Sequence, residues 1–167
     1  MTCQPNTRHP TSNHLSHIPR NTRLNLSTKM SYNITLKIIN DSGDSLNIIE
    51  KTCSKGSAWY ESNDDQRLYM VNSGGSGLLR FEAGNGEKFI VAAGIHSYKY
   101  WSSVLVDLNM EQTAMNIHPT YYGGSGSAKP DWDQLPQITK TTIGGRTVGL
   151  YFYKPEGQNL RAVITYA

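Results

Sequence analysis

The titratable side chains that stand nearest one another in this chain are His96, Asp107, Glu111 and His118. Imidazoles and carboxylates can relay protons, but a reaction also needs a nucleophile or a metal beside them. No GxSxG elbow, HExxH or paired Cys/His signature is present, and neither Cys3 nor Cys53 has zinc-site spacing. Catalysis is therefore not expected, and no metal or cofactor is implied. The glycine run Ser73-Gly74-Gly75-Ser76-Gly77 invites a phosphate-loop reading, but it lacks the P-loop lysine and leads into the strand-like Leu78-Leu79-Arg80-Phe81. Without a helix start there is no dipole to hold phosphate, and a turn using positive φ is the plain alternative. What remains is hydroxyls, amides and aromatic rings, including His96-Ser97-Tyr98 and ten tyrosines. Neutral sugars are held by such groups: short polar side chains, backbone exposed at glycine, and a ring against the apolar face of a pyranose.

The elements that must position these residues are mostly strands. Tyr32, Ile34, Leu36 and Ile38 alternate with polar residues, the period of a half-buried strand, and Asn40-Asp41-Ser42-Gly43-Asp44 is a turn. Leu46 to Thr52, Leu68 to Asn72, Leu78 to Phe81 and Lys88 to Ile95 are further strand candidates. Val148, Leu150 and Phe152, then Leu160, Ala162, Ile164 and Tyr166, flank a Lys154-Pro155-Glu156-Gly157 turn and predict a terminal hairpin. One helical region is expected in the middle. Trp101 to Leu108 reads as a short helix, and Asn109-Met110-Glu111-Gln112 reads as an N-cap opening a second one that Pro119 stops. Met110, Ala114 and Ile117 would form its packing face. Tyr98 and Trp101 read as core, and Trp132 as an exposed aromatic in an acidic loop. The glycine-serine segment after Tyr122 reads as a flexible loop.

Charge divides the chain. Residues 1–29 hold Arg8, Arg20, Arg23 and Lys29 with no acidic residue, so 12 of the 16 basic side chains remain to face all 13 acidic ones beyond them. The whole-chain charge of +3 is thus a +4 tail joined to a domain of −1, which argues against a nucleic-acid footprint on the folded part. Fifteen of those 29 residues are Ser, Thr, Asn or Pro and six are apolar, so a disordered basic tail over 1–29 and a folded domain over 30–167 are expected. The tail reads as a plain extension, as a translated region upstream of a start at Met30, or as an organelle transit peptide. No secretory apolar core and no membrane-spanning run is present. Two unpaired cysteines fit a reducing, cytoplasmic location.

Several ordered motifs then resemble one family. Gly94-Ile95-His96-Ser97-Tyr98-Lys99-Tyr100-Trp101, Glu111-Gln112-Thr113-Ala114 and Tyr121-Tyr122-Gly123 are similar to the central signature of the fungal fruit-body lectins. Met30-Ser31-Tyr32-Asn33-Ile34-Thr35, Ser76-Gly77-Leu78-Leu79-Arg80-Phe81 and Glu156-Gly157-Gln158-Asn159-Leu160 resemble its start, its central strand and its closing hairpin. The resemblance implies an actinoporin-like β-sandwich of two sheets, mainly β, with a short helix pair between the two halves of the chain. It also implies a signal-less lectin, commonly a homotetramer, that binds Galβ1-3GalNAc (the T-antigen) at one site and terminal GlcNAc at another.

Carried over residue by residue, the galactose-type site falls on Ser54, Ser73, Gly74, His96 and Ser97. Ser54 takes the place of an alanine whose backbone carbonyl serves; in a shifted register the Ser-Gly pair would be Ser76 and Gly77. Ser97 replaces an asparagine, and one lost side-chain bond costs about 1 kcal/mol, which weakens the site without abolishing it. His96 has a plainer reading as a buried, hydrogen-bonded histidine, and the resemblance favours ligand contact. The GlcNAc positions fall on Ser103, Val104, Val106, Ser127 and Ile138, where the family has Asp, Ile, Thr, Arg and Tyr. This second site is expected to be lost. Glycans or glycoproteins ending in galactose or GalNAc are the expected partners. A membrane-active, pore-forming protein is the alternative, since cytolysins share the fold; it needs an amphipathic N-terminal helix, and the proline-broken tail argues against one.

Overall fold

The structure, a computed structural model, describes residues 30–123 and 133–167. Ten strands run in the order β1 Tyr32–Asn40, β2 Leu46–Cys53, β3 Ser57–Ser62, β4 Asp65–Met70, β5 Ser76–Ala83, β6 Lys88–His96, β7 Lys99–Leu105, β8 Gln137–Thr141, β9 Thr147–Lys154 and β10 Asn159–Tyr166. Between β7 and β8 stand one helical turn, α1 (Ala114–Ile117), and a 3-10 turn at His118–Tyr121. The strands form a six-stranded sheet, β3-β4-β1-β10-β9-β8, and a four-stranded sheet, β2-β5-β6-β7. All pairings are antiparallel except β1 with β10, which runs parallel with Ile34, Leu36 and Ile38 beside Leu160, Ala162 and Ile164.

Between the sheets lies the main core. Ile34, Leu36, Leu68, Leu150 and Ile164 from one sheet meet Leu79, Phe81, Phe89 and Val91 from the other. Phe81 stacks on Phe89 with ring centroids 4.8 Å apart, and Phe89 on Tyr166 at 5.3 Å. A second cluster covers the opposite face of the four-stranded sheet, where Leu78, Ile90, Ala92 and Trp101 pack on Ala114, Ile117 and Tyr121 of the helical segment. Buried on both faces, β6 loses the alternation that marks β1 and reads as an unbroken apolar run, Phe89 to Ala93. Among the described residues no helix is long and apolar enough to cross a membrane.

The terminal hairpin and the strand candidates stand where their periodicity put them. The middle of the chain does not. Trp101 to Leu108 does not form a helix: Lys99–Leu105 is the edge strand β7, with Ser102 and Ser103 paired to Ala93 and Ala92. Small buried residues that fit beside β6 win over a helical pattern too short to bury itself. Asn109 Oδ1 accepts from the backbone N–H groups of Glu111 and Gln112, and Gln112 Oε1 accepts from the Asn109 N–H. That reciprocal cap closes a turn, however, and α1 starts later, at the N-cap Thr113, whose hydroxyl accepts from the Asn116 N–H. Met110 is 88% exposed, so the packing face is Ala114 and Ile117 only. As expected, α1 ends just before Pro119, which follows the C-cap His118 and sits in the first turn of the 3-10 segment, where its missing N–H costs nothing. Trp101 is core, but Tyr98 is 75% exposed at a hairpin tip. Trp132 and the glycine-serine segment at 124–127 lie outside the described residues.

Candidate functional site

Three neighbouring strands of the four-stranded sheet end at the same edge, and the five galactose-type candidates sit at those ends. Ser54 follows β2, Ser73 and Gly74 precede β5, and His96 and Ser97 close β6. Backbone bonds tie the loops together. The Ser54 N–H donates to the Ser76 carbonyl at 2.9 Å, and the Gly74 N–H donates to the Ile95 carbonyl at 2.7 Å. Ile95 in turn donates to the Gly75 carbonyl at 2.9 Å.

Each candidate arrives with a particular set of free and committed atoms. Ser54 Oγ accepts from the Ser76 N–H at 2.9 Å and lies 3.0 Å from Ser57 Oγ, while its carbonyl accepts from the Ser57 N–H. One carbonyl lone pair is left to meet a ligand. Gly74 has φ +100°, which a side chain would strain, and nothing lies within 4 Å of where a Cβ would stand. A ligand can therefore come down onto its backbone. Ser97 and Tyr98 form the two-residue turn between β6 and β7, with φ of 50° and 66°. Left-handed φ is uncommon outside glycine and asparagine, and here the Ser73 hydroxyl supports it by accepting from the Tyr98 N–H at 2.9 Å. Ser73 thus shapes the turn that presents His96 and Ser97. His96 is exposed, so its plainer reading as a buried histidine does not hold, and Gln134 Nε2 donates to its carbonyl at 3.2 Å. Gly94, one pair inward, has no room for a side chain: a Cβ would stand 2.6 Å from both the Gly75 carbonyl and Trp101 Nε1.

Beside this edge the structure brings together a cluster that sequence reasoning missed. Ser76 Oγ lies 2.8 Å from Nε2 of the buried His118, and the Tyr122 hydroxyl donates to the same Ser76 oxygen. The Ser76 hydroxyl has one proton to give and two lone pairs to accept with, so beside Tyr122 it can pair with either tautomer of a neutral imidazole. Burial supplies the neutral form by pushing the His118 pKa below its ordinary value. Burial also raises the Tyr122 phenol, against the lowering pull of hydrogen bonds with Ser76 and Ser54. Ser76 is fully buried, so this Ser–His pair is part of the packing and offers no nucleophile to solvent. Ser76 and His118 are 42 residues apart, and no local pattern could have joined them.

A bulge sets the remaining wall. In β2 the register shifts between Ile48 and Glu50, so Ile48 faces the intersheet core while Glu50 and Thr52 pair with Arg80 and Leu78 on the helical side. The Glu50 carboxylate accepts from the N–H groups of Ala114 and Met115, both at 2.8 Å, and lies 3.7 Å from the Arg80 guanidinium. This fixes the start of α1 over the end of β2. Between them opens a recess of about 340 Å3 that Ser54, His118 and Tyr122 help to line.

The second set of positions is arranged otherwise. Ser103 and Val104 are buried in β7, Val104 within the intersheet core, and Val106 and Ile138 pack against that core. Ser127 lies outside the described residues. The four described positions do not form a polar surface. Of the four titratable candidates, His118 pairs with Ser76, Asp107 accepts from the Ile143 N–H at 2.9 Å, and His96 stands exposed at the end of β6. Among the described residues no set of His, Cys, Asp and Glu could hold a metal.

Comparison with known proteins fixes the family. The model of the fungal fruit body lectin family matches residues 30–164. The chain belongs to the fungal fruit body lectin family. Boletus edulis lectin is 35% identical over 143 residues, covering 83% of this chain and all of that protein. The wild-type structure of Xerocomus chrysenteron lectin superposes with a TM-score of 0.77 at 35% identity, covering 83% of this chain and 100% of the other. A triply substituted form of the same lectin gives the same score over 99% of its length. This family member is thus a carbohydrate-binding lectin on a two-sheet β fold, and its relatives are lectins rather than enzymes.

Proposed function

We propose that this fruit body lectin recognises glycans with galactose or GalNAc termini, of the Galβ1-3GalNAc type, through Ser54, Ser73, Gly74, His96 and Ser97. The observation that carries the reading is the convergence of these five residues, drawn from three separate stretches of chain, at one edge of the four-stranded sheet. They offer a carbonyl, a hydroxyl, an open glycine backbone, an exposed imidazole and a second hydroxyl. That is a set suited to neutral sugar hydroxyls, with no charge required. Binding is reversible and no bond is made or broken.

The GlcNAc site is lost on this reading. A sugar there would need polar groups to fix its orientation, and Val104, Val106 and Ile138 have none to give, while Ser103 is buried. Assembly as a homotetramer is part of the same proposal; light scattering on the purified full-length protein checks it. The sugar reading is tested on a glycan array with the full-length protein and its Ser73→Ala variant. Signal on Galβ1-3GalNAc that drops in the variant, with none on terminal GlcNAc, is the expected result. An array blank for galactosides in the wild-type protein would sink the reading.

A further inference from the structure

The recess between the end of β2 and the helical segment has features that sugar contacts at its rim do not use. Cys53, Met115, Pro119 and Tyr122 wall it, and Met115 stands 70% exposed. Thr52 lines it too, and its Oγ1 is buried without a hydrogen-bond partner among the described residues. A buried hydroxyl left alone is unfavourable, and a ligand group that completes it adds to affinity. At about 340 Å3 the space reaches the size of small-ligand sites, roughly 300–1,000 Å3. An acetamido methyl alone would leave most of it empty.

We propose that this recess is a subsite for the peptide-type aglycone of an O-linked glycan, so that the lectin reads the sugar and the chain that carries it together. The inference rests on the galactoside reading above, because Ser54 lies in both the sugar rim and the recess wall. A peptide supplies what the recess lacks. Its apolar side chains can lie against Met115, Pro119 and the Tyr122 ring, and its amide can bond the Thr52 hydroxyl once a χ1 turn brings Oγ1, which has no accessible surface as it stands, to the recess. A thioether chain adapts to varied shapes, while the α1 backbone beneath it stays fixed by the Glu50 carboxylate. A further sugar residue would find few polar partners on this wall.

The test compares two ligands on the full-length protein by calorimetry: the methyl glycoside of Galβ1-3GalNAc, and the same disaccharide on the threonine of a capped Ala-Thr-Ala peptide. The glycopeptide should bind about fivefold more tightly or better, the worth of one hydrogen bond and a modest apolar contact. Met115→Ser and Thr52→Val should each reduce that gain and leave the methyl glycoside unchanged within about twofold. Using both variants keeps the test sound should one of them fold poorly. Equal affinity for the two ligands, or a gain that survives both substitutions, overturns the subsite and leaves the sugar reading standing. If neither ligand binds, the sugar reading fails and the subsite with it.

Discussion

The galactose-type edge and the second set of positions occupy the same four-stranded sheet and its surroundings, yet they present opposite surfaces. At the edge, strand ends are held apart by turns, so Gly74, His96 and Ser97 remain exposed and the loops are pinned by bonds such as Gly74 N–H to the Ile95 carbonyl. Farther along β7, Ser103 and Val104 are buried, and Val106 and Ile138 lean on the core. The contrast shows which of the two sets of positions can be filled with apolar side chains at little cost. A position already next to the core gains apolar burial when its polar side chain is replaced, whereas a turn cannot be filled without changing the backbone that exposes it.

The edge can be disturbed most strongly from beneath, at the glycine on which it packs. In Gly94→Ala the new Cβ meets the Gly75 carbonyl, Trp101 Nε1 and Ser76 Cβ within 2.8 Å, and overpacking of this kind costs about 1–3 kcal/mol. A lower melting temperature together with loss of galactoside binding is expected; a variant as stable and as active as the wild type would show that the edge is not held from beneath. Ser73→Ala removes a candidate contact and the acceptor of the Tyr98 N–H, so binding should weaken about tenfold in calorimetry while the melting point moves little.

Other changes sharpen the contrast. Ser97→Asn restores an amide at a position whose φ is 50°, a conformation asparagine tolerates well, and should strengthen galactoside binding about fivefold. Acid acts on the cluster behind the edge. Because burial holds His118 below its ordinary pKa of 6.5, the unfolded chain takes up protons before the native one does. Stability is therefore full above about pH 6.5 and declines as pH falls from there through the native value. Melting curves between about pH 7 and about pH 5 should show that decline, and a smaller one in His118→Gln. Val106→Thr gives the smallest effect: one hydroxyl beside the core rebuilds no GlcNAc site, and array signals on both sugar classes should match the wild type.

Much of the sheet was legible because its signal is local. The alternation of β1, the closing hairpin and the apolar run of β6 each follow from side chains choosing a face, and the structure keeps all three. The stretch from Lys99 to Leu105 was not legible, because Ser102 and Ser103 become strand residues only once β6 lies beside them. Strands β3 and β8 were missed for a related reason. They stand at the edges of the six-stranded sheet, largely exposed, and so carry little apolar alternation to read.

From the sequence alone came the mainly β architecture and the charge boundary at Met30, while the candidate sugar contacts came from the family resemblance. The first two follow from composition and from periodicities that each segment carries alone. Only the tertiary structure decided that Ser54, Ser73 and His96 meet at one edge, that His118 closes onto Ser76, and that the bulge after Ile48 turns Glu50 and Thr52 toward the helix. These depend on pairing between strands far apart in the chain, and a hydrogen bond spanning 42 residues leaves no trace in either neighbourhood.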